Sequence, residues 1–282
     1  MMKNIISLLF SVLSVLCFSQ IPKDMGNLEY NNLLGNIKSV KEITYKYTDP
    51  ADSKKPILQS TRTTHYNRKK NKTLLIINDA NNELKEKQTF TYDANGNLIS
   101  KTEYNKNEDG ETNMTYHYKY NDKQLPSEEV GYDSTGALIT KILITYPNND
   151  HEAESKTYDS KGNLTSKSTV FFSAMKGIPS KIIQYIPTDS LEAVYTFKYD
   201  GDLCTSLKIS SPATETKLLE IAIKYNDKKF PSEVSIEWPF GPIKANFKYL
   251  SFDKKGNWTR RETYTNEELS ETSEQKIGRA HV

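Results

Sequence analysis

One seven-residue pattern recurs along this chain: an aromatic residue, Asp, two variable residues, Gly, one variable residue and a large apolar residue. It reads Tyr92-Asp93-Ala94-Asn95-Gly96-Asn97-Leu98, then Tyr132-Asp133-Ser134-Thr135-Gly136-Ala137-Leu138, then Tyr158-Asp159-Ser160-Lys161-Gly162-Asn163-Leu164, then Phe252-Asp253-Lys254-Lys255-Gly256-Asn257-Trp258. A shortened copy is Tyr199-Asp200-Gly201-Asp202-Leu203. A second motif, Tyr120-Asn121-Asp122-Lys123-Gln124-Leu125-Pro126-Ser127-Glu128, returns as Tyr225-Asn226-Asp227-Lys228-Lys229-Phe230-Pro231-Ser232-Glu233. Motif starts recur 26 to 28 residues apart at 92 to 120, 132 to 158, 199 to 225 and 225 to 252, room for two strands and two turns. Self-similarity at such a period marks an architecture of stacked supersecondary units.

Each motif reads as a β-turn. The Asp carboxylate accepts hydrogen bonds from backbone N–H groups further along and closes the turn. Gly then takes the positive φ that ends a type I turn with a bulge. The aromatic and the Leu or Trp lie on the two arms, where they can pack as a cross-strand pair.

The arms alternate with period two, the signature of half-buried antiparallel strands. Tyr116, Tyr118 and Tyr120 share one side, as do Tyr195, Phe197 and Tyr199, and Ile221, Ile223 and Tyr225. Lys141–Tyr146 is apolar on both faces and is expected to be a central strand covered on both sides. Asn27–Asn36 has room for one helical turn, and Thr48–Lys55 is a polar loop. The expected fold is therefore all-β: a repetitive antiparallel meander, open or partly curled, with little helix.

The Tyr-Asp-x-x-Gly-x-Leu motifs resemble the YD repeats of the RHS-like family over Phe90–Tyr264, and more weakly over Val40–Ile77. The resemblance implies a long meandering antiparallel sheet. Very large members wrap that sheet into a shell around a toxin. This chain is short, shows no toxin domain and lacks the core segment that precedes the toxin, so the shell function does not carry over. It looks like a small exported member that kept only the sheet.

The ends are read separately. Lys3, the apolar run Ile5–Phe18 and small residues before Gln20 form a secretory signal peptide over residues 1–19, too short for a spanning helix. Leu16 before Cys17 disfavours lipidation of that cysteine. Residues 20–36 form a linker or short helical turn, and residues 37–275 the YD-repeat sheet. Residues 276–282, ending Ile277-Gly278-Arg279-Ala280-His281-Val282, resemble translated sequencing adapter and are expected to be a non-native tail.

Composition narrows the function. Setting aside Lys3, Lys276 and Arg279 leaves 35 basic residues against 36 acids, a net charge of about −1. No basic stripe of the kind that binds nucleic acid is present. The hydrophobic fraction is 36%, yet there are 18 tyrosines, which favours thin, pleated, half-buried sheets. Cys204 is the one cysteine beyond the signal segment and is read as a structural thiol.

The remaining chemistry is sparse. Asp93-Ala94-Asn95-Gly96-Asn97 has oxygen donors at alternate positions, as a calcium loop does. In the other copies Thr135, Lys161 and Lys255 replace Asn95, so no metal is expected. Adjacent acids such as Glu128-Glu129 and Glu267-Glu268 point to opposite faces of a strand and cannot flank one bond. His65, His117 and His151 have no metal-ligand spacing. No phosphate loop or nucleophile elbow occurs, and no cofactor is expected. Trp258 occupies the repeat's Leu position and is read as structural. Trp238, within Ile236-Glu237-Trp238-Pro239-Phe240-Gly241-Pro242, departs from the pattern and is the candidate ligand contact.

These readings lead to an exported, non-enzymatic interaction or structural protein, periplasmic, associated with the outer membrane or extracellular. Its partner would be a protein or a glycan. Two alternatives stand beside it: a carrier with a hydrophobic ligand such as lipid on a curved sheet, and a glycan-binding or glycan-processing protein.

Overall fold

The computed structural model describes residues 33–47, 55–148, 151–173, 178–188, 190–211 and 217–279. The signal peptide, Cys17, most of the 20–36 linker and residues 280–282 lie outside them. Eighteen strands follow one another: β1 Ile37–Lys46, β2 Ile57–Tyr66, β3 Lys72–Asp79, β4 Leu84–Tyr92, β5 Leu98–Asn107, β6 Gly110–Tyr120, β7 Pro126–Asp133, β8 Leu138–Thr145 and β9 Glu152–Asp159. Then come β10 Leu164–Phe172, β11 Pro179–Tyr185, β12 Leu191–Asp200, β13 Leu203–Ser210, β14 Lys217–Tyr225, β15 Pro231–Glu237, β16 Ile243–Phe252, β17 Trp258–Thr265 and β18 Glu268–Arg279. Among the described residues there is no helix.

The expectation of an open or partly curled sheet is wrong. All eighteen strands belong to one sheet. β1 is bonded on one side to β2 and on the other to β18, so the first and last strands of the meander pair with each other. The sheet is closed, with the topology of a barrel. The physical reason is that an open meander would leave two long edges of unpaired N–H and C=O groups, and closure removes both. Lys276–Arg279, expected to be a foreign tail, lie in β18 opposite Ile37–Lys41.

The described strands fall into two compact units, one holding His117–Glu220 and the other Glu29–Tyr116 with Ile221–Val282. In the first, registered neighbours build a dense row. Val170 faces Ile182, Ile182 faces Tyr195, and Tyr195 faces Ile209, each buried to 4% exposure or less. Beside it the Ser155 and Ser168 hydroxyls bond at 2.6 Å, and Tyr195 donates its hydroxyl to Gln184 Oε1 at 3.2 Å. In the second unit Leu33, Ile37, Val40 and Tyr66 cluster against Ile277. Leu33–Asn36 is not helical. The Asn257 amide holds it by donating to the Leu34 carbonyl at 3.1 Å and accepting the Leu34 N–H.

β8 also departs from expectation. Ile142 and Ile144 are buried, but Lys141 on the other face reaches Glu128 at 3.0 Å. That face is solvated, not covered.

A longer period appears that the motifs alone did not reveal. The Tyr92 hydroxyl donates to the Lys72 carbonyl, Tyr146 to Pro126, Tyr199 to Pro179 and Tyr249 to Pro231, at 2.7 to 2.9 Å. The acceptors open β3, β7, β11 and β15, every fourth strand, spaced 54, 53 and 52 residues apart. In each hairpin the ladder stops two residues short of the acceptor, at Leu74↔Thr89, Glu128↔Leu143, Lys181↔Thr196 and Glu233↔Asn246. Pro has no N–H to extend a ladder but keeps its carbonyl. The tyrosine hydroxyl gives that carbonyl, and the Lys72 carbonyl in the first hairpin, a donor beyond the end of the ladder.

Removing one tether should therefore cost stability without altering shape or charge. Tyr199→Phe leaves the Pro179 carbonyl without this donor and is expected to lower unfolding free energy by about 1–3 kcal/mol. The control Tyr158→Phe should stay within about 0.5 kcal/mol of the parent. Urea denaturation of the three proteins measures the difference.

Candidate functional site

The repeat residues sit at the turns. Tyr92↔Leu98, Tyr132↔Leu138, Tyr158↔Leu164 and Phe252↔Trp258 are registered cross-strand pairs at the necks of the hairpins. Asp133 Oδ1 accepts from the Thr135 and Ala137 N–H groups at 2.8 and 3.0 Å, and Asp159 Oδ1 from those of Lys161 and Asn163 at 2.9 and 2.8 Å. Asp253 does the same with Lys255 and Asn257, and Asp93 Oδ1 accepts the Asn97 N–H. The Thr135 hydroxyl and these amides hold the Asp133 carboxyl below the usual carboxylate range; the Asn163 amide leads at Asp159. Gly96, Gly136, Gly162 and Gly256 carry the positive φ, 81° to 91°.

The same architecture occurs at four more turns. Asn67, Asp79, Asn121 and Asn226 each accept the N–H groups two and four residues on. Their left-handed residues are Lys70, Asn82, Gln124 and Lys229, at φ 62° to 66°. The turns at Asn67 and Asp79 have no Tyr-Asp-x-x-Gly signature. An Asx residue followed three positions later by Lys, Asn or Gln was the signal that could have found them.

The two tryptophans part company. Trp258 is 7% exposed, with its ring 6.0 Å from Tyr249 and the Arg261 guanidinium 4.8 Å from its centre. Trp238 is 38% exposed and stands edge-on, 5.4 Å from Phe240, itself 78% exposed.

The site that sequence reading missed lies on the buried face of the second unit. Register places Glu42 opposite Arg62 and Gln275, and Arg261 opposite Ser273. Arg261 Nη2 lies 3.4 Å from both Glu42 Oε1 and Ser273 Oγ. Beside this pair is a small cavity lined by Leu33, Val40, Glu42, Arg62, Thr64, Tyr66 and Gln275. About 10 Å³ is open to the centre of a water-sized sphere, room for roughly one water. Of the lining groups, Gln275 Oε1 is buried without a hydrogen-bond partner and is the acceptor such a water would satisfy.

Further along the same face, Gln88 Nε2 donates to Glu86 Oε1 at 2.7 Å and to Glu103 Oε1 at 3.1 Å, while Lys101 Nζ meets Glu103 at 2.9 Å. Two carboxylates converge here, as glycan processing would require. The Gln88 amide, however, occupies the space between them where a glycosidic oxygen would have to sit. Burial pushes the Glu86 carboxyl up, against the nearby Arg62 charge and reinforced by Glu103. Cys204 is half-buried, burial raises its thiol, and Sγ lies 3.6 Å from the Ser206 carbonyl. Among the described residues no three His, Cys, Asp or Glu side chains gather as a metal site.

No protein-family model matches the chain, and no curated protein matches it. Among solved structures it is similar to a porin-like protein from Bacteroides uniformis, with 11% identity, a TM-score of 0.44, and 86% of this chain and 98% of that one covered. A porin-like protein from Bacteroides vulgatus follows at 10% identity and TM-score 0.35, covering 66% and 98%. A protein of unknown function from Bacteroides fragilis has 18% identity and TM-score 0.27, covering 48% and 99%. Scores this low assign neither a fold family nor a function.

The Glu86 environment sets a pH dependence. A carboxyl whose folded pKa is raised contributes most below its unfolded pKa and loses that contribution as pH rises through the folded value. Glu86→Gln keeps an acceptor for Gln88 and removes the half-buried charge. It is expected to raise the melting temperature at pH 7 by a few degrees and to leave it unchanged near pH 3.5. Thermal melts across that range decide it, and a destabilised variant at pH 7 contradicts the assignment.

Proposed function

We propose that this chain is an exported, non-enzymatic YD-repeat protein, a soluble interaction scaffold of the cell envelope or exterior and not a membrane-spanning channel. The observation that carries this reading is the charge on the exposed face of the strands. In β9 to β13, buried Ser155, Ile182, Phe197 and Ile209 alternate with exposed Lys156, Lys181, Lys198 and Lys208. A strand facing lipid would carry an apolar band there, and each lysine near the bilayer centre would cost about 2–4 kcal/mol.

Two ion-paired triads reinforce the point. Lys119 and Lys141 flank Glu128 at 2.6 and 3.0 Å, and Lys224 and Lys244 flank Glu233 at 2.9 Å each. Lys119 and Lys224 are more than 70% exposed. Such triads suit water. Export is supported by the amino-terminal pattern of residues 1–19. The YD-repeat reading is supported by eight turns of one build. A non-enzymatic role is supported by Glu42, Glu86 and Glu103, which are engaged by arginine, lysine and glutamine side chains.

Fractionation of a Gram-negative host expressing the full chain tests the proposal. Osmotic shock or the medium should release the protein, and it should stay in the supernatant of ultracentrifugation without detergent. Recovery only in detergent extracts of the outer membrane would overturn it.

A further inference from the structure

The four-strand period repeats one exposed side chain and, in one copy, reverses its charge. β7, β11 and β15 open alike, as Pro126-Ser127-Glu128, Pro179-Ser180-Lys181 and Pro231-Ser232-Glu233, each with its proline carbonyl bonded by a tyrosine hydroxyl. In β7 and β15 the third residue is a glutamate that takes two lysines from the flanking strands. Glu128 holds Lys119 and Lys141 at 2.6 and 3.0 Å, and Glu233 holds Lys224 and Lys244 at 2.9 Å each. In β11 the third residue is Lys181.

Register fixes what surrounds it. Lys181 lies opposite Phe171 on β10 and Thr196 on β12, and Thr196 lies opposite Lys208 on β13. Lys181 and Lys208 are thus two strands apart, about 9.5 Å, and Lys198 follows Thr196 by about 7 Å along the same face of β12. The three lysines and Thr196 are exposed, above buried Ile182, Tyr195, Phe197 and Ile209. β10, β11 and β13 contain no acid, and β12 carries Glu192 and Asp200 near its ends. Glu152, opposite Phe171, is bonded by Asn148 at 2.6 Å. Among the described residues no carboxylate pairs with Lys181, Lys198 or Lys208.

Three ammonium groups this close repel one another. Elsewhere on the exposed face a glutamate between lysines relieves that repulsion, and here the glutamate is missing. A partner's carboxylates can supply it. The aromatic ring beside the cluster, Phe171, has the Lys181 ammonium over it at 6.0 Å and is not open to stack a nucleic-acid base. Ile183 and Val194 face each other next to the lysines, both half-buried. Val194 holds the place of Lys141 and Lys244, two residues before the position registered with Lys181, Glu128 or Glu233. An apolar pair within a charged patch suits the mixed side chains of a polypeptide better than the hydroxyls of a sugar polymer. We propose that Lys181, Lys198 and Lys208 form a docking surface for an acidic segment of a partner polypeptide. Its Asp or Glu side chains take the part that Glu128 and Glu233 play in the other periods. This rests on the scaffold reading and names its partner class.

Fluorescently labelled poly-L-glutamate is titrated with the purified protein at near-physiological ionic strength, and anisotropy is followed. Binding should saturate and weaken as salt rises. Changing Lys181, Lys198 and Lys208 together to Gln should weaken it by about tenfold or more. Changing Lys248, Lys254 and Lys255 to Gln, an equal loss of charge at exposed lysines outside the cluster, should leave it within about twofold of the parent. Lys181→Glu, which restores the residue of β7 and β15, should abolish binding and melt no lower than the parent, because the new carboxylate relieves the repulsion from within.

The proposal is overturned if poly-L-glutamate does not bind, if the cluster variant binds as well as the parent, or if the control variant loses as much. It is also overturned if polygalacturonate or phosphatidylglycerol vesicles bind more tightly than poly-L-glutamate in a Lys181-dependent way, which would make the surface a polysaccharide or membrane contact. Soluble export is measured separately by fractionation, so either reading can fail without the other.

Discussion

Every other feature depends on the pairing of β1 with β18. These strands are separated by more than two hundred residues, yet they share nine registered positions from Ile37↔Arg279 to Lys46↔Glu271. In an antiparallel meander each internal strand finds partners before and after it in sequence. Only the first and last are left with a free edge, and free edges recruit other chains. Joining them satisfies the backbone of both and fixes which face of each strand is buried. Closing so long a loop costs entropy once, and that cost grows only slowly with length. The ladder formed in return is nine residues long.

What holds the intervening strands in register is a set of local devices used repeatedly. Eight turns take their hydrogen-bond acceptor from an Asp or Asn side chain and their reversal from a left-handed residue. Four tyrosine hydroxyls replace ladder bonds where hairpins splay, once in every four strands. The motif period of 26 to 28 residues is thus half of a structural period near 53. Lys119–Glu128–Lys141 and Lys224–Glu233–Lys244 lie two such periods apart and repeat the same three-strand ion pairing.

The local half of this architecture was legible in the sequence, and the distant half was not. Asp, Gly and the flanking aromatic announce a turn because their chemistry acts within five residues. Closure has no such signature. The face of β1 was equally hidden: Ile43 and Tyr45 suggest an apolar side, yet register with Arg62 and Gln275 turns Glu42 and Thr44 inward. The half-buried charges Glu42, Arg62 and Arg261 belong to three strands brought together only by that register. Trp238 stood out because it broke the repeat, and the structure finds it exposed. The turns at Asn67 and Asp79 went unseen because Lys70 and Asn82 take a role the motif reserves for Gly.

The exposed lysines, the charged rows of the buried face and the aromatic loop all follow from which side of each strand faces solvent, and closure decides that. Native-state amide hydrogen exchange along Ser39–Lys46 tests it most directly. With β1 bonded on both sides, the amides facing β18 should be protected as strongly as those facing β2, and both sets should exchange only with global unfolding. If alternate amides of β1 exchange within seconds while their neighbours stay protected, β1 is an open edge and the closed-sheet account is wrong.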